Sequence, residues 1–314
     1  MEPLVSVITP CYNGEGYLQR FLDSVLYQTY NNVEFIFIND GSKDKTEEIA
    51  LEYKKRFEKR GFRFIYIYQE NSGQAAAINK GLKIIKGKYL IWPDSDDILD
   101  KDNIKLKVEY LEKYPEKGVV AARCKVVPEN DLNRIIDWQY NENEDNWVEN
   151  LCFSGKYTTL SGVYMLRTEF LFQIYPDKQI YESREDQNFQ LLLPMLHRFQ
   201  YGNISEVLYT YVVREKSHSH QKKSIKELIE RYDNFTILFE KIAELFDDAY
   251  RKVFLYKIYN YQSREKFILS IQYNNLQIAK ECYKDLKERN CVTIKDNLKY
   301  WRYRIKMFFV NIIK

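Results

Sequence analysis

The first 127 residues alternate short apolar runs with stretches of helical spacing. LVSVITP (4–10) is a compact apolar run, and in Glu15–Thr29 the apolar positions Leu18, Phe21, Leu22, Val25 and Leu26 recur at the helical period. VEFIFIND (33–40) predicts a second buried strand, and Lys45–Lys59 a helix with Ile49, Tyr53 and Phe57 on one face. FRFIYIYQ (62–69), a helix over Gln74–Ile85, KYLIWP (88–93), a helix over Asp100–Tyr114 and GVVAARCKVV (118–127) complete the series. Strand and helix signals in strict alternation predict parallel β-α-β units with right-handed crossovers. In such sheets ligands bind beyond the carboxyl ends of the strands, where the strand order switches.

The pattern weakens after Pro128. Asp131–Glu149 holds six acidic residues and one Arg with little periodicity, which predicts a surface excursion. GVYMLR (162–167) and VLYTYVV (207–213) read as strands, and Arg184–Leu196 as a helix. From Lys222 the signal is helical to the end, beginning with Ile225, Leu228, Ile229 and Tyr232 on one face. The expected organisation is an α/β domain over 1–221, with halves 1–127 and 128–221, and a helical region over 222–314.

A net charge of +3 over 314 residues gives no electrostatic case for nucleic-acid binding. Cys11, Cys124, Cys152, Cys282 and Cys291 are odd in number and widely spaced, without metal-ligand spacing, so a reducing compartment is expected. MEPLVSVITP lacks the basic start of a signal peptide, and no segment has the ~20 apolar residues of a membrane span. These features predict a cytoplasmic location.

Every unusual polar cluster falls at a predicted strand end. TPCYNGEGYL ends strand one; Asn13-Gly14 permits a tight turn, and Tyr12 is placed to stack on a flat ligand. INDGSKDKT ends strand two; Asp44 suits a helix cap, leaving Asp40 free to accept hydrogen bonds from a base or ribose. After strand three, Asn71 is the better ligand candidate, while Ala75, Ala76 and Ala77 suit close packing. LIWPDSDDIL delivers Asp94, Asp96 and Asp97 to one point, where mutual repulsion raises their pKa values unless a cation intervenes. Asp94 and Asp96 share a face of an extended segment, while Asp97 points elsewhere or caps the next helix. Mg²⁺ or Mn²⁺, with one or two carboxylates and substrate phosphates, fits that pair. Glu185-Asp186 begins a predicted helix, where the dipole favours acids; a general base for a second substrate is the functional reading. YVVREKSHSHQKK gathers Arg214, Ser217, His218, Ser219 and His220, suited either to an anionic diphosphate and a metal shell or to an exposed linker.

VSVITPCYNGEGYL, VEFIFINDGSKDKT, KYLIWPDSDDIL and REDQNF, in that order, resemble a family 2 glycosyltransferase of the GT-A fold, over roughly the first 220 residues. The resemblance implies a Rossmann-like, mostly parallel sheet flanked by helices, with a nucleotide-sugar half followed by an acceptor half. It implies an inverting transfer from a nucleotide sugar, most often a UDP-sugar, to a hydroxyl of a glycan or lipid-linked glycan in surface polysaccharide or glycoconjugate synthesis. By position, Pro10 and Tyr12 would line the uracil pocket, with Asp40 and Asn71 at the base. Asp94 would touch ribose or donor sugar, and Asp96 would hold the metal, with Asp97, His218 and His220 as further candidates. Asp186, preceded by Glu185, matches the catalytic base; Arg214, Ser217 and Ser219 match a loop closing over the diphosphate. Many members carry Arg before the Asn of the third motif, where this chain has Ile78 before Asn79. A nucleotidyltransferase or a non-catalytic nucleotide-sugar-binding module is the alternative.

Lys295–Lys314 carries six basic residues and one acidic residue among several aromatics. Two readings stand: an interfacial anchor on the inner face of an anionic membrane, or an amphipathic helix packed on its own domain. Tyr and Phe stripes in the helical region also suit a homo-oligomeric interface.

Overall fold

Val5, Val7, Ile8, Phe35, Ile36, Phe37 and Ile38 are all fully shielded from solvent, as strands covered on both faces require. The computed structural model describes residues 2–140, 147–154, 158–214 and 223–313. The chain forms two compact units, Met1–His220 and Gln221–Lys314.

In the first unit the apolar runs and helical stretches become β1 (Val5–Cys11), α1 (Leu18–Leu26), β2 (Val33–Asp40), α2 (Thr46–Arg60), β3 (Arg63–Gln69), α3 (Gln74–Leu82) and β4 (Tyr89–Ile91). There follow β5 (Ile98–Leu99), α4 (Asn103–Lys113), β6 (Lys117–Pro128), β7 (Asp137–Gln139) and a single helical turn, α5 (Trp147–Glu149). The unit continues with β8 (Tyr164–Arg167), α6 (Thr168–Ile174), α7 (Gln187–Arg198) and β9 (Gln200–Val213). The sheet runs β3-β2-β1-β4-β8-β6-β9-β5, with β7 on β6. β3, β2, β1 and β4 are parallel throughout, as the alternation predicts. β8 then runs antiparallel to both β4 and β6, while β6 and β9 are parallel. The order reverses at β1, which has β2 on one side and β4 on the other. In a sheet of this order the crevice for a ligand lies beyond the carboxyl ends of β1 and β4.

Aromatic packing holds the first layers together. Phe35 of β2 stacks on Phe57 of α2 with ring centroids 5.0 Å apart, and Phe64 of β3 meets it edge-on at 5.1 Å. Three elements lay below the resolution of the sequence pattern. β5 is two residues long and pairs with β9; β7 forms inside the acidic excursion; α6 follows β8 directly. Two- and three-residue strands leave too few positions for a period to show.

The second unit is helical: α8 (Ile225–Ala243), α9 (Asp248–Gln272), α10 (Leu276–Glu288) and α11 (Ile294–Ile313). Ser224 and Glu227 form a reciprocal capping box that starts α8. Phe267, Ala279, Leu286, Tyr300 and Tyr303 bring α9, α10 and α11 to one core, where Tyr283 and Tyr300 stack at 3.8 Å.

A fully buried lysine stands inside the first unit. Lys107 of α4 is fully buried, and its Nζ donates to Gly162 O at 2.7 Å and Asn103 Oδ1 at 3.1 Å. Burial pulls its pKa from 10.5 down to about 7, and a neutral amine supplies the two donors these contacts need. Between that value and the ordinary one the unfolded chain binds the extra proton, so stability rises with pH, by up to about 1.4 kcal/mol per unit. Lys107→Met removes this dependence. Urea denaturation of both proteins from pH 7 to 10 should show wild type gaining on the variant; parallel curves would contradict the buried neutral amine.

Candidate active site

The crevice is built by turns that tie themselves together. Asn13, with φ 52°, carries the chain out of β1; its backbone N–H donates to Ser42 Oγ at 2.9 Å, and its Oδ1 accepts from Lys43 N at 2.9 Å. Gly14 N donates to Thr46 Oγ1 at 2.7 Å, and Glu15 N to Asp44 Oδ2 at 2.9 Å. Asp44 also accepts from Thr46 N at 3.0 Å, so it anchors the start of α2 from one residue before the cap position. Burial works to raise its carboxyl, but the Thr46 hydroxyl and the backbone N–H groups of Glu15 and Thr46 outweigh it and hold the carboxyl below the usual range.

Asp40, at the end of β2, is almost fully buried. Oδ1 accepts from Gln69 Nε2 at 2.7 Å and Ser72 N at 2.8 Å, and Oδ2 accepts from Gly73 N at 3.0 Å. Asn71 Nδ2 returns to Asp40 O at 3.1 Å. Asp40 thus holds the β3–α3 loop in shape and brings the N-terminus of α3 to the crevice. Gly41, at φ 75°, is where that loop comes closest: an added Cβ would lie 2.6 Å from Asn71 N. Tyr12, the residue after β1, is 38% exposed, and Pro10 within β1 is buried.

The three carboxylates after β4 have three different fates. Asp94 is half-buried; its Oδ2 accepts from Ser161 Oγ at 3.0 Å and its Oδ1 from Gln74 Nε2 at 3.4 Å. Burial first, then the charges of Asp96 and Asp186, push its pKa up to about 7. Asp96 is gripped by Arg214, whose Nε and Nη2 reach Oδ2 at 2.9 and 2.5 Å; Arg20 Nη2 donates to the Asp96 backbone carbonyl at 2.7 Å. The Arg214 guanidinium also lies 4.1 Å over the Tyr17 ring. Asp97 is fully buried: Tyr209 OH donates to Oδ2 at 2.5 Å and Val212 N to Oδ1 at 2.9 Å. Burial, with Asp96 and Asp94 beside it, drives its carboxyl well above the usual range. The structure therefore places Asp97, a candidate metal ligand by sequence, in the core as the clamp on β9.

Asp186 is the N-cap of α7, not a residue of its first turn. Its non-helical backbone lets Oδ1 accept from Asn188 N at 2.8 Å, and Thr159 Oγ1 reaches Oδ2 at 3.5 Å. Glu185 N donates to Ser183 Oγ at 3.0 Å. Trp92 Nε1 donates to Asn188 Oδ1 at 2.7 Å, which fixes this cap against the end of β4. Asn79 exchanges two hydrogen bonds with the Ile180 backbone, at 2.9 and 2.8 Å, so it locks α3 to the segment leading into the cap. Ser217, His218, Ser219 and His220 lie outside the described residues.

The fold brings Asp94, Asp96, Asp186 and Arg214 together and carries Asp40 and Asn71 to the adjoining loop. Gln74, Thr159, Ser161 and Tyr17 join them without a sequence signal that singles them out. Tyr209 packs where Gly162 leaves room: a Cβ at 162 would lie 1.9 Å from its ring. Among the described residues no group of three or more His, Cys, Asp or Glu side chains is arranged to hold a metal ion by itself. Two crowded carboxylates, Asp94 and Asp96, still match the donor set a hard divalent cation takes when diphosphate oxygens complete its shell.

Residues 6–169, just over half of the chain, match the family described as glycosyl transferase family 2, and the chain belongs to that family. An uncharacterized glycosyltransferase of Rickettsia prowazekii is 45% identical over 119 residues, 38% of this chain and 35% of the relative. Glycosyltransferase GlyA of Streptococcus pneumoniae is 41% identical over 114 residues, 36% of this chain and 16% of that one. The matched stretch thus spans about a third or less of these relatives' own length. In fold, the chain is similar to the S. aureus TarS 1–349 fragment solved with UDP-GlcNAc, at TM-score 0.65 and 18% identity, covering 96% of this chain and 89% of that one. It is also similar to the mannosyltransferase PcManGT of Pyrobaculum calidifontis solved with GDP-Man and Mn²⁺, at TM-score 0.59 and 14% identity, covering 95% and 78%. The fold is the mixed α/β one of these glycosyltransferases.

Asp97→Ala should leave Tyr209 and Val212 N without their acceptor and cost about 1–3 kcal/mol for each buried group stranded. Asp97→Asn has the same shape, with its Oδ1 accepting from Val212 N and its Nδ2 donating to the Tyr209 hydroxyl oxygen, and should unfold in urea close to wild type. Equal loss in both variants would contradict the clamp.

Proposed function

We propose that the chain is an inverting glycosyltransferase that moves a sugar from a nucleotide-sugar donor, a UDP-sugar, to a hydroxyl of a glycan or lipid-linked glycan. The observation that carries this reading is the meeting of Asp94, Asp96 and Arg214 with the Asp186 cap at the β1/β4 switch point. A donor diphosphate and an acceptor hydroxyl could both be addressed there. TarS binding UDP and UDP-GlcNAc favours a uridine donor, although PcManGT takes GDP-Man. On this reading residues 1–127 bind the donor and 128–221 the acceptor, with 222–314 as a helical appendage.

Tyr12 and Pro10 would border the base, with Asp40 shaping the loop around it and Asn71 beside it. Asp94 would accept from ribose or donor-sugar hydroxyls. Asp96 would hold Mn²⁺ or Mg²⁺ through its carboxylate. Bound there, the cation would supply Lewis-acid neutralisation of the leaving diphosphate. Arg214, and Ser217, His218, Ser219 and His220 beyond it, would meet the diphosphate charge. Asp186 would accept the proton of the acceptor hydroxyl as its oxygen attacks the anomeric carbon from the face opposite the diphosphate. A single displacement with a base inverts the anomeric centre. The product would enter a surface polysaccharide or glycoconjugate, made on the cytoplasmic side.

UDP release from a panel of UDP-sugars, with GDP-sugars alongside and with or without Mn²⁺ or Mg²⁺, tests this. Cation-dependent release from one UDP-sugar, lost in Asp96→Ala, is expected. Asp186→Asn should lower acceptor-dependent turnover by ~10²–10⁴-fold while leaving UDP affinity unchanged. Absence of both UDP-sugar turnover and UDP binding with metal present would reject the reading.

A further inference from the structure

The second unit carries a surface that its own core does not use. On α11, Asp296, Tyr300 and Tyr303 are buried, and Met307 packs partly against the same core. The opposite face is apolar and open. Ile294 is 79% exposed, Leu298 52%, Trp301 53% and Ile305 56%. Spaced by four, three and four residues, these side chains form one continuous line along the helix. Lys295, Lys299, Arg302 and Lys306 are all exposed and fall on the strip between that line and the buried face. Arg304 is exposed on the other side, its guanidinium 5.2 Å from the Trp301 ring.

The acid of this helix segment does not offset those charges at the surface. Asp296 Oδ2 faces inward, accepting from Thr293 N at 2.9 Å, Thr293 Oγ1 at 2.8 Å and Arg264 Nε at 3.2 Å. Residues 294–307 therefore present an apolar line between basic flanks, with no exposed carboxylate. Among the described residues no helix is long and apolar enough to cross a membrane.

We propose that this face of α11 docks on an anionic lipid surface. Ile294, Leu298, Trp301 and Ile305 would enter the boundary between headgroups and acyl chains, with the basic flanks at the headgroup phosphates. Trp301 suits that boundary, since its ring is apolar and its N–H remains near water. Charge decides between this occupant and a second copy of the chain. Two copies meeting on this face would oppose basic flanks to basic flanks, which repel. A lipid surface of opposite sign attracts every one of them. The inference rests on α11 alone and stands or falls independently of the transfer reaction.

The full chain would be sedimented with vesicles of phosphatidylcholine alone and of phosphatidylcholine mixed with phosphatidylglycerol, at low and high salt. Binding to the anionic vesicles only, weakened by salt, is expected. Leu298→Ser/Trp301→Ser/Ile305→Ser and Lys295→Gln/Lys299→Gln/Arg302→Gln/Lys306→Gln should each weaken it by at least about tenfold. Since all these side chains are exposed, the variants should keep wild-type circular dichroism. The fluorescence lost in Trp301→Phe should be the part that shifts to the blue when anionic vesicles are added to wild type. Failure of wild type to bind anionic vesicles, or unchanged binding by both variants, would overturn the proposal. So would a wild-type dimer in light scattering that the apolar variant dissolves while vesicles bind neither protein.

Discussion

Three carboxyl groups on four consecutive residues cannot share one environment. Asp94, Asp96 and Asp97 repel one another, and the fold separates them by giving each a different partner. Ser161 and Gln74 hold Asp94, Arg214 neutralises Asp96, and Tyr209 with Val212 N takes Asp97 into the core. These partners come from three parts of the chain: Gln74 in α3, Ser161, and Tyr209 to Arg214 at the end of β9. The short segment after β4 is thus the point to which α3, the 161–163 turn and β9 must all be delivered. This explains why the stretch Trp92–Leu99, with only two residues of regular strand, is placed by contacts more than a hundred residues away in sequence.

The parallel half of the sheet was legible because its strands are buried on both faces and its helices are amphipathic. Both properties appear as period in the sequence. The position of the candidate site was legible for the same reason, since strand ends follow from strand identity. The role of each side chain was not. Asp97 and Asp96 are adjacent acids, and only the turn between β4 and β5 decides that one enters the core. Asp40 looks free for a ligand until the β3–α3 loop folds back and fills both its oxygens. Asp186 reads as first-turn helix, yet its backbone leaves the helical range and its side chain caps instead.

Long-range partners left still less trace. Lys107 has the look of any helix-surface lysine, and LKVEYLEK gives no hint that its amine ends beneath Gly162. In α11, by contrast, the basic excess was plain from composition. Which face is buried depended on Tyr300 and Tyr303 meeting α9 and α10, and that fixed which apolar residues remain outside.

Gly162 has a consequence for how variation at this site would be read. It carries no functional group, yet its bareness admits the Tyr209 ring, whose hydroxyl secures Asp97. Its carbonyl receives Lys107, and its neighbour Ser161 holds Asp94. A map of tolerated substitutions would therefore mark position 162 as intolerant as any acid in the crevice. Ranking residues by sensitivity alone would promote a hydrogen atom to the catalytic list, although what is protected there is empty space.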